Sequence, residues 1–79
     1  MIIPAQSKAA RALIDWSRED LAGASKVSVR TVVDFERGAR QPIPATLAAI
    51  RAALEAAGVI FVESNGEGPG VRLKKVKGD

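Results

Sequence analysis

The sequence predicts a mainly α fold, a compact bundle of four to five short helices followed by a C-terminal β-hairpin. Apolar residues recur at helical spacing up to about Gly58, and helix-capping and helix-stopping residues divide this part into short segments. Beyond Gly58 the pattern changes to β-branched residues and a cluster of turn residues. We therefore divide the chain into a helical unit, residues 1–58, and a hairpin with a basic tail, residues 59–79.

The first helix is predicted over residues 7 to 15. Ala10, Leu13 and Ile14 recur at helical spacing, which indicates the helix. Trp16 follows directly, and we interpret it as a lid on the core in preference to a residue that stacks on a ligand.

Two very short helices come next. The earlier one, over residues 18 to 24, has Ser17 as its N-cap and two acidic residues in its first turn, where the helix dipole favours negative charge. The later one has Ser28 as its N-cap and stops at Gly38, a residue suited to the left-handed conformation after a helix end. Neither is long enough to be stable alone, so tertiary packing must hold both.

A proline-containing loop, ARQPIP, separates these helices from a fourth. The fourth helix has Pro44 in its first turn and Gly58 as its stop. Leu47, Ile50 and Leu54 lie on one face of it and are expected to be buried.

The C-terminal part reads as two strands, VIFVE and VRLKKVK, joined by the glycine-rich loop SNGEGPG. A hairpin is marginal alone, so it either packs on the helices or adds its edge to the same hairpin of a second chain. Both arrangements are open at this point. The tail has four basic residues, which we interpret as a solubilising face in preference to a phosphate-attracting one: Arg72, Lys74, Lys75 and Lys77.

The composition argues against an enzyme. The 79 residues include no Cys and no His, which excludes disulfides, thiolate nucleophiles, imidazole bases and most zinc sites. Lys26 and Ser28 are close in the sequence, but nothing indicates a base with a perturbed pKa beside them. We expect no catalytic residues, no cofactor and no metal.

Charge and hydropathy favour a cytoplasmic protein with no membrane partner. The longest apolar runs are short, and the N-terminus lacks the apolar core of a signal peptide. A net charge of +3 permits nucleic-acid binding without requiring it, because the 12 basic residues are nearly balanced by 9 acidic residues.

The stretch LAGASKVSVRTVVDFERG resembles the helix-turn-helix of the Cro and phage-repressor type, the XRE family, and the resemblance extends over residues 9 to 58. The resemblance implies a lambda-repressor-like bundle. Lys26 departs from the pattern, because this family commonly has Gly there and a Cβ at positive φ costs on the order of 1 kcal/mol. The matching residues are the small Ala22, the turn at Ser25, the apolar Val27 with the cap Ser28, the inward Val32 and Phe35, and the closing ERG.

The resemblance implies a transcription regulator that binds double-stranded DNA. In such proteins the first short helix crosses the DNA backbone and the second, here Ser28 to Arg37, lies in the major groove. Arg30 is the best candidate for direct readout, because a guanidinium matches the two acceptors of guanine. The positions that match outward, base-facing residues are Val29, Arg30 and Asp34, with Thr31 and Val33 flanking them.

Asp34 repels phosphate, so we expect it to pair with Arg30 at i,i+4 in preference to accepting from a cytosine amine. Phosphate contacts are expected from the starts of the two short helices and from the turn after the second: Arg18, Ser28, Arg37, Arg40 and Gln41. Arg11 and Glu36 match positions where many relatives carry a partly buried ion pair, and we assign them that structural role.

We therefore expect a homodimeric, sequence-specific repressor that reads a palindromic operator, because one such domain buries little surface on DNA. Two alternatives remain. One is the antitoxin of a toxin–antitoxin operon, with the hairpin binding a toxin protein. The other is a protein-interaction module that keeps the helix-turn-helix fold without DNA binding.

Overall fold

A computed structural model describes residues 1–63 and 66–74 of the chain. Within these residues it contains four helices and a two-stranded antiparallel sheet, which confirms the mainly α bundle with a C-terminal hairpin. In chain order the elements are α1 (Pro4–Ile14), α2 (Arg18–Ser25), α3 (Val29–Glu36), α4 (Pro44–Ala56), β1 (Val59–Val62) and β2 (Gly70–Leu73).

Helix α1 begins three residues earlier than predicted, at Pro4. Proline suits the first helical position, where its missing N–H is not needed, and the side chain of Gln6 accepts a bond from the Ile3 N–H at 2.9 Å. Leu13, one of the three apolar residues at helical spacing, is 39% exposed. Leu13 lies at the border of the face on which Ala10 is buried.

Helices α2 and α3 begin at the predicted caps. The Asp20 N–H donates to Ser17 Oγ at 3.0 Å, and the Ser17 N–H donates back to the Asp20 carboxylate at 2.9 Å. At the start of α3, the Thr31 N–H donates to Ser28 Oγ at 3.1 Å. Local sequence therefore determines where both short helices start.

The turn between α2 and α3 passes through Lys26 at φ 59°, the left-handed conformation. We expect Lys26→Gly to stabilise the fold by about 0.5–1 kcal/mol, because glycine adopts this conformation without Cβ strain. Urea denaturation of the variant checks this. Lys8→Gly, the same change at an exposed position inside α1, should instead destabilise by about 1 kcal/mol. A Lys26→Gly protein less stable than the wild type would contradict the expectation.

Helix α3 ends at a left-handed glycine, Gly38, with φ 72°. The Gly38 N–H donates to the Phe35 carbonyl at 3.0 Å and the Ala39 N–H donates to the Asp34 carbonyl at 2.9 Å. These two bonds satisfy the last carbonyls of the helix in the Schellman arrangement. The predicted stop is thus confirmed, and the chain leaves α3 in a set direction.

One core joins all six elements. Residues from each helix and from β1 are buried in it, and Ile14, Trp16 and Val71 pack against its border. The position of Trp16 agrees with its interpretation as a lid. The fully buried members contributed by the helices are Ala10, Leu21, Val32, Phe35, Ile50 and Leu54.

The hairpin packs on the helices, one of the two arrangements that the sequence left open. Its strands pair in antiparallel register with Phe61 opposite Val71, and Phe61 is buried. The side-chain amide of Gln6 in α1 donates to the Gly70 carbonyl at 3.1 Å, and the Arg51 guanidinium of α4 lies 5.1 Å from the Phe61 ring centroid. Both α1 and α4 therefore hold the hairpin.

Two of the four basic tail residues, Lys75 and Lys77, lie outside the described residues. Across residues 1–63 and 66–74, none of the helices has both the length and the apolarity to cross a membrane.

Candidate nucleic-acid interface

Helix α3 is divided into a buried face and an exposed face. Val32, Phe35 and Glu36 are almost completely buried between the other helices. Arg30, by contrast, has a side chain that is 86% exposed, and Val29 beside it is exposed as well. The first turn of α3 therefore projects from the bundle while its opposite face holds the helix in place.

The N-terminus of α3 presents backbone donors that have no partner among the described residues. The Ser28 hydroxyl lies 2.8 Å from the Thr31 hydroxyl as well as accepting the Thr31 N–H. The amides of Val29 and Arg30 precede the first intrahelical bond. This end of the helix dipole favours a negatively charged group such as phosphate.

Arg30 and Asp34 form the expected i,i+4 pair, with Arg30 Nε 3.3 Å from a carboxylate oxygen of Asp34. Asp34 is far less exposed than Arg30, so the carboxylate lies against the helix and the guanidinium projects beyond it. The two terminal nitrogens of Arg30 have no partner among the described residues. They are thus available for the two acceptors on a guanine edge.

The loop after α3 brings a second arginine to the same place. Arg40 and Pro42 line a cleft of about 100 Å³ together with Arg30, Thr31 and Asp34. The Arg40 N–H donates to the Asp34 carbonyl at 3.3 Å, which holds the loop against the helix end.

The remaining predicted contact residues are placed differently. Arg37 and Gln41 are exposed, and the Gln41 amide lies 3.8 Å from the Met1 sulfur, near the N-terminus of the chain. Val33 is half-buried at the side of α3. Of the ten candidates, the structure thus groups Arg30, Thr31, Asp34 and Arg40 around one cleft.

Glu36 is the centre of a buried ionic network. Its side chain is 0% exposed and accepts two bonds from Arg11, from Nη2 at 2.7 Å and from Nε at 2.9 Å. Ser7 Oγ donates to it at 2.6 Å and Arg18 Nε at 3.3 Å. Arg11 also donates to the Trp16 carbonyl at 3.0 Å. Because Arg11 lies on α1, Arg18 on α2 and Glu36 on α3, the network ties α1 to both short helices.

Sequence reasoning named Arg11 and Glu36 but missed the parts of Ser7 and Arg18 in this network. The signal for Ser7 is that it stands four residues before Arg11, and hence on the same inward face of α1. No local pattern in the sequence points from Arg18 to Glu36.

The network changes the ionisation of its members. Burial alone would raise the pKa of Glu36, but the hydrogen bonds from Arg11, Ser7 and Arg18 outweigh it and hold this pKa below the usual glutamate value. The hydrogen bond to Glu36 raises the pKa of Arg11. The charged form of the network is therefore the stable one.

This lowered pKa predicts an acid-dependent loss of stability. In the unfolded chain Glu36 titrates near its ordinary pKa of about 4.3, so its contribution is complete above about pH 5 and is lost as the pH falls through the lower folded pKa. Denaturant titrations between pH 3 and pH 7 check this. Glu36→Gln should show a shallower loss of unfolding free energy with acidification, and equal slopes would contradict the prediction.

The fold and this surface define a class of protein. Two short helices joined by residues 26–28, the second with an exposed N-terminal turn, form a helix-turn-helix, a DNA-binding unit that places its second helix in the major groove. The helix-turn-helix family model matches residues 8–57 of the chain. The chain belongs to this family, the XRE type, which is a family of DNA-binding regulators.

No curated protein matches the chain. Among the described residues, no group of three acidic side chains is arranged so that it could hold a metal ion.

Proposed function

We propose that this DNA-binding regulator is a homodimeric repressor that reads a palindromic operator with the recognition helix Ser28 to Arg37. The observation that carries the proposal is the projecting first turn of α3, where Asp34 holds the almost fully exposed Arg30. A helix fixed by its buried face and exposed at its N-terminal turn suits major-groove readout.

We divide the candidate residues by the part of the DNA that each is proposed to contact. We assign the exposed Arg30 and Val29 to base edges, a guanine and a thymine methyl group respectively. Thr31 and Val33 flank these two residues, and Asp34 pairs with Arg30. We assign contacts with phosphates, which carry no sequence information, to the starts of the two short helices and to the turn after α3: Arg18, Ser28, Arg37, Arg40 and Gln41.

The proposed dimer is supported by the outer edge of β2. Lys74 N–H bonds the Gly58 carbonyl at 2.7 Å, so by alternation the amides of Val71 and Leu73 point away from β1. Neither amide has a partner within the described residues, and 48% of Leu73 is exposed. The same open edge suits the strand of a toxin protein, which is the observation that favours the antitoxin alternative.

The test is a binding titration against DNA selected from a random pool, compared with unselected DNA at two salt concentrations. We expect Arg30→Ala to lose about 1–3 kcal/mol of discrimination at one operator position, because the guanine loses its bidentate partner. Arg72→Ala is the matched control, since this exposed arginine lies on the hairpin and should leave the preference unchanged. Circular dichroism of both variants checks that they are folded.

Two outcomes would contradict the proposal. Absence of DNA binding at low salt would favour the interaction module, because phosphate contacts strengthen as salt falls. If sedimentation shows a monomer both in free solution and bound to a palindromic site, the proposed dimer is wrong, although the proposed DNA binding still stands.

A further inference from the structure

Arg18 differs from the other arginines of the candidate interface in how it is held. It is the first residue of α2, and its Nε lies 3.3 Å from Oε1 of the fully buried Glu36 side chain. About 40% of the Arg18 side chain remains exposed, and its two terminal nitrogens have no partner among the described residues. One edge of the guanidinium is therefore bound to the core network while the other is open to solvent.

Glu36 does not need Arg18 to be satisfied. A carboxylate has about four acceptor sites, and three of the bonds to Glu36 come from α1, two from Arg11 and one from Ser7. These three bonds fix both carboxylate oxygens. The fourth bond goes to Arg18, so a carboxylate that α1 has already placed sets the position of Arg18.

Arg37 and Arg40 provide the comparison. Both are exposed, and neither has an ion pair among the described residues. Ordering such a side chain on binding costs conformational entropy, whereas a side chain already held in place avoids most of that cost.

We infer that Glu36 is a positioning residue for DNA binding: through its bond to Nε it holds Arg18 at the end of α2 with the terminal nitrogens open to a phosphate. The inference rests on the proposed function, that the α2–α3 unit binds DNA. It means that a buried acid raises the affinity for a polyanion by holding a cation in place.

The direction in which Glu36→Gln changes the DNA affinity tests this inference. Measured by fluorescence anisotropy on the selected DNA, Arg18→Ala should weaken binding about tenfold and lower the salt slope by about one, as expected for one lost phosphate contact. Glu36→Gln should also weaken binding, and should have no further effect in the Arg18→Ala background. If Glu36 acted only as a nearby negative charge, Glu36→Gln would tighten binding, and that result overturns the inference.

Arg18→Lys keeps the test valid even where Glu36→Gln is poorly folded. Lysine retains the charge, but its ammonium group is a compact charge on a flexible stem and lacks the rigid planar fork by which Glu36 holds one edge of the arginine while the other edge faces a phosphate. We expect Arg18→Lys to bind about as weakly as Arg18→Ala. Arg72→Lys is the matched control, because Arg72 is an exposed arginine on the hairpin with no ion pair among the described residues, and it should bind like the wild type.

Arg18→Lys binding like the wild type overturns the inference while the proposed function stands. Failure of the wild type to bind DNA at low salt overturns both.

Discussion

Arg11→Ala is expected to lower the free energy of unfolding by about 3–5 kcal/mol, because it leaves the buried carboxylate of Glu36 without its main cation. Arg11 contributes two of the four bonds to that carboxylate and one to the Trp16 carbonyl. Ser7 and Arg18 remain as donors, so we expect a value near the lower end of this range.

Urea denaturation at pH 7 measures the effect of Arg11→Ala, and Arg30→Ala is the matched control. Both remove an arginine from an ion pair with an acid on α3, but the Arg30 pair is exposed and should contribute no more than about 0.5 kcal/mol. Equal losses in the two variants would show that burial of Glu36 does not matter.

Phe35→Ala is expected to cost about 3–5 kcal/mol, since the substitution removes a fully buried ring and leaves a cavity. Phe35 is the largest fully buried side chain of the described residues and lies on the face of α3 opposite the exposed turn. In a domain of this size the total stability is only about 5–15 kcal/mol. We therefore expect a substantial unfolded fraction at 37 °C.

Thermal unfolding followed by circular dichroism measures the loss in Phe35→Ala. Leu13→Ala is the control, since this partly exposed leucine on α1 should cost about 1 kcal/mol or less. A folded Phe35→Ala protein with normal stability and no DNA binding would contradict the assignment of Phe35 to the core.

Much of the candidate interface was predictable because the signals that place it are local. The caps Ser17 and Ser28 start the two short helices, Gly38 ends the second, and the spacing of Val32 and Phe35 sets which face is buried. Each signal acts within four residues along the chain, so it can be read from a short window of sequence. The pair of Arg30 with Asp34 is of the same kind, at i,i+4.

The sequence by itself thus determined the helices, their order and which residues α3 presents. Only the tertiary structure decided that Leu13 stays exposed, that the hairpin packs on α1 and α4, and that Arg18 shares Glu36 with Arg11. Ser7 and Glu36 are 29 residues apart, and Gln6 and Gly70 are 64 apart. Such contacts depend on how whole elements pack against one another, because no local pattern states which surfaces will meet.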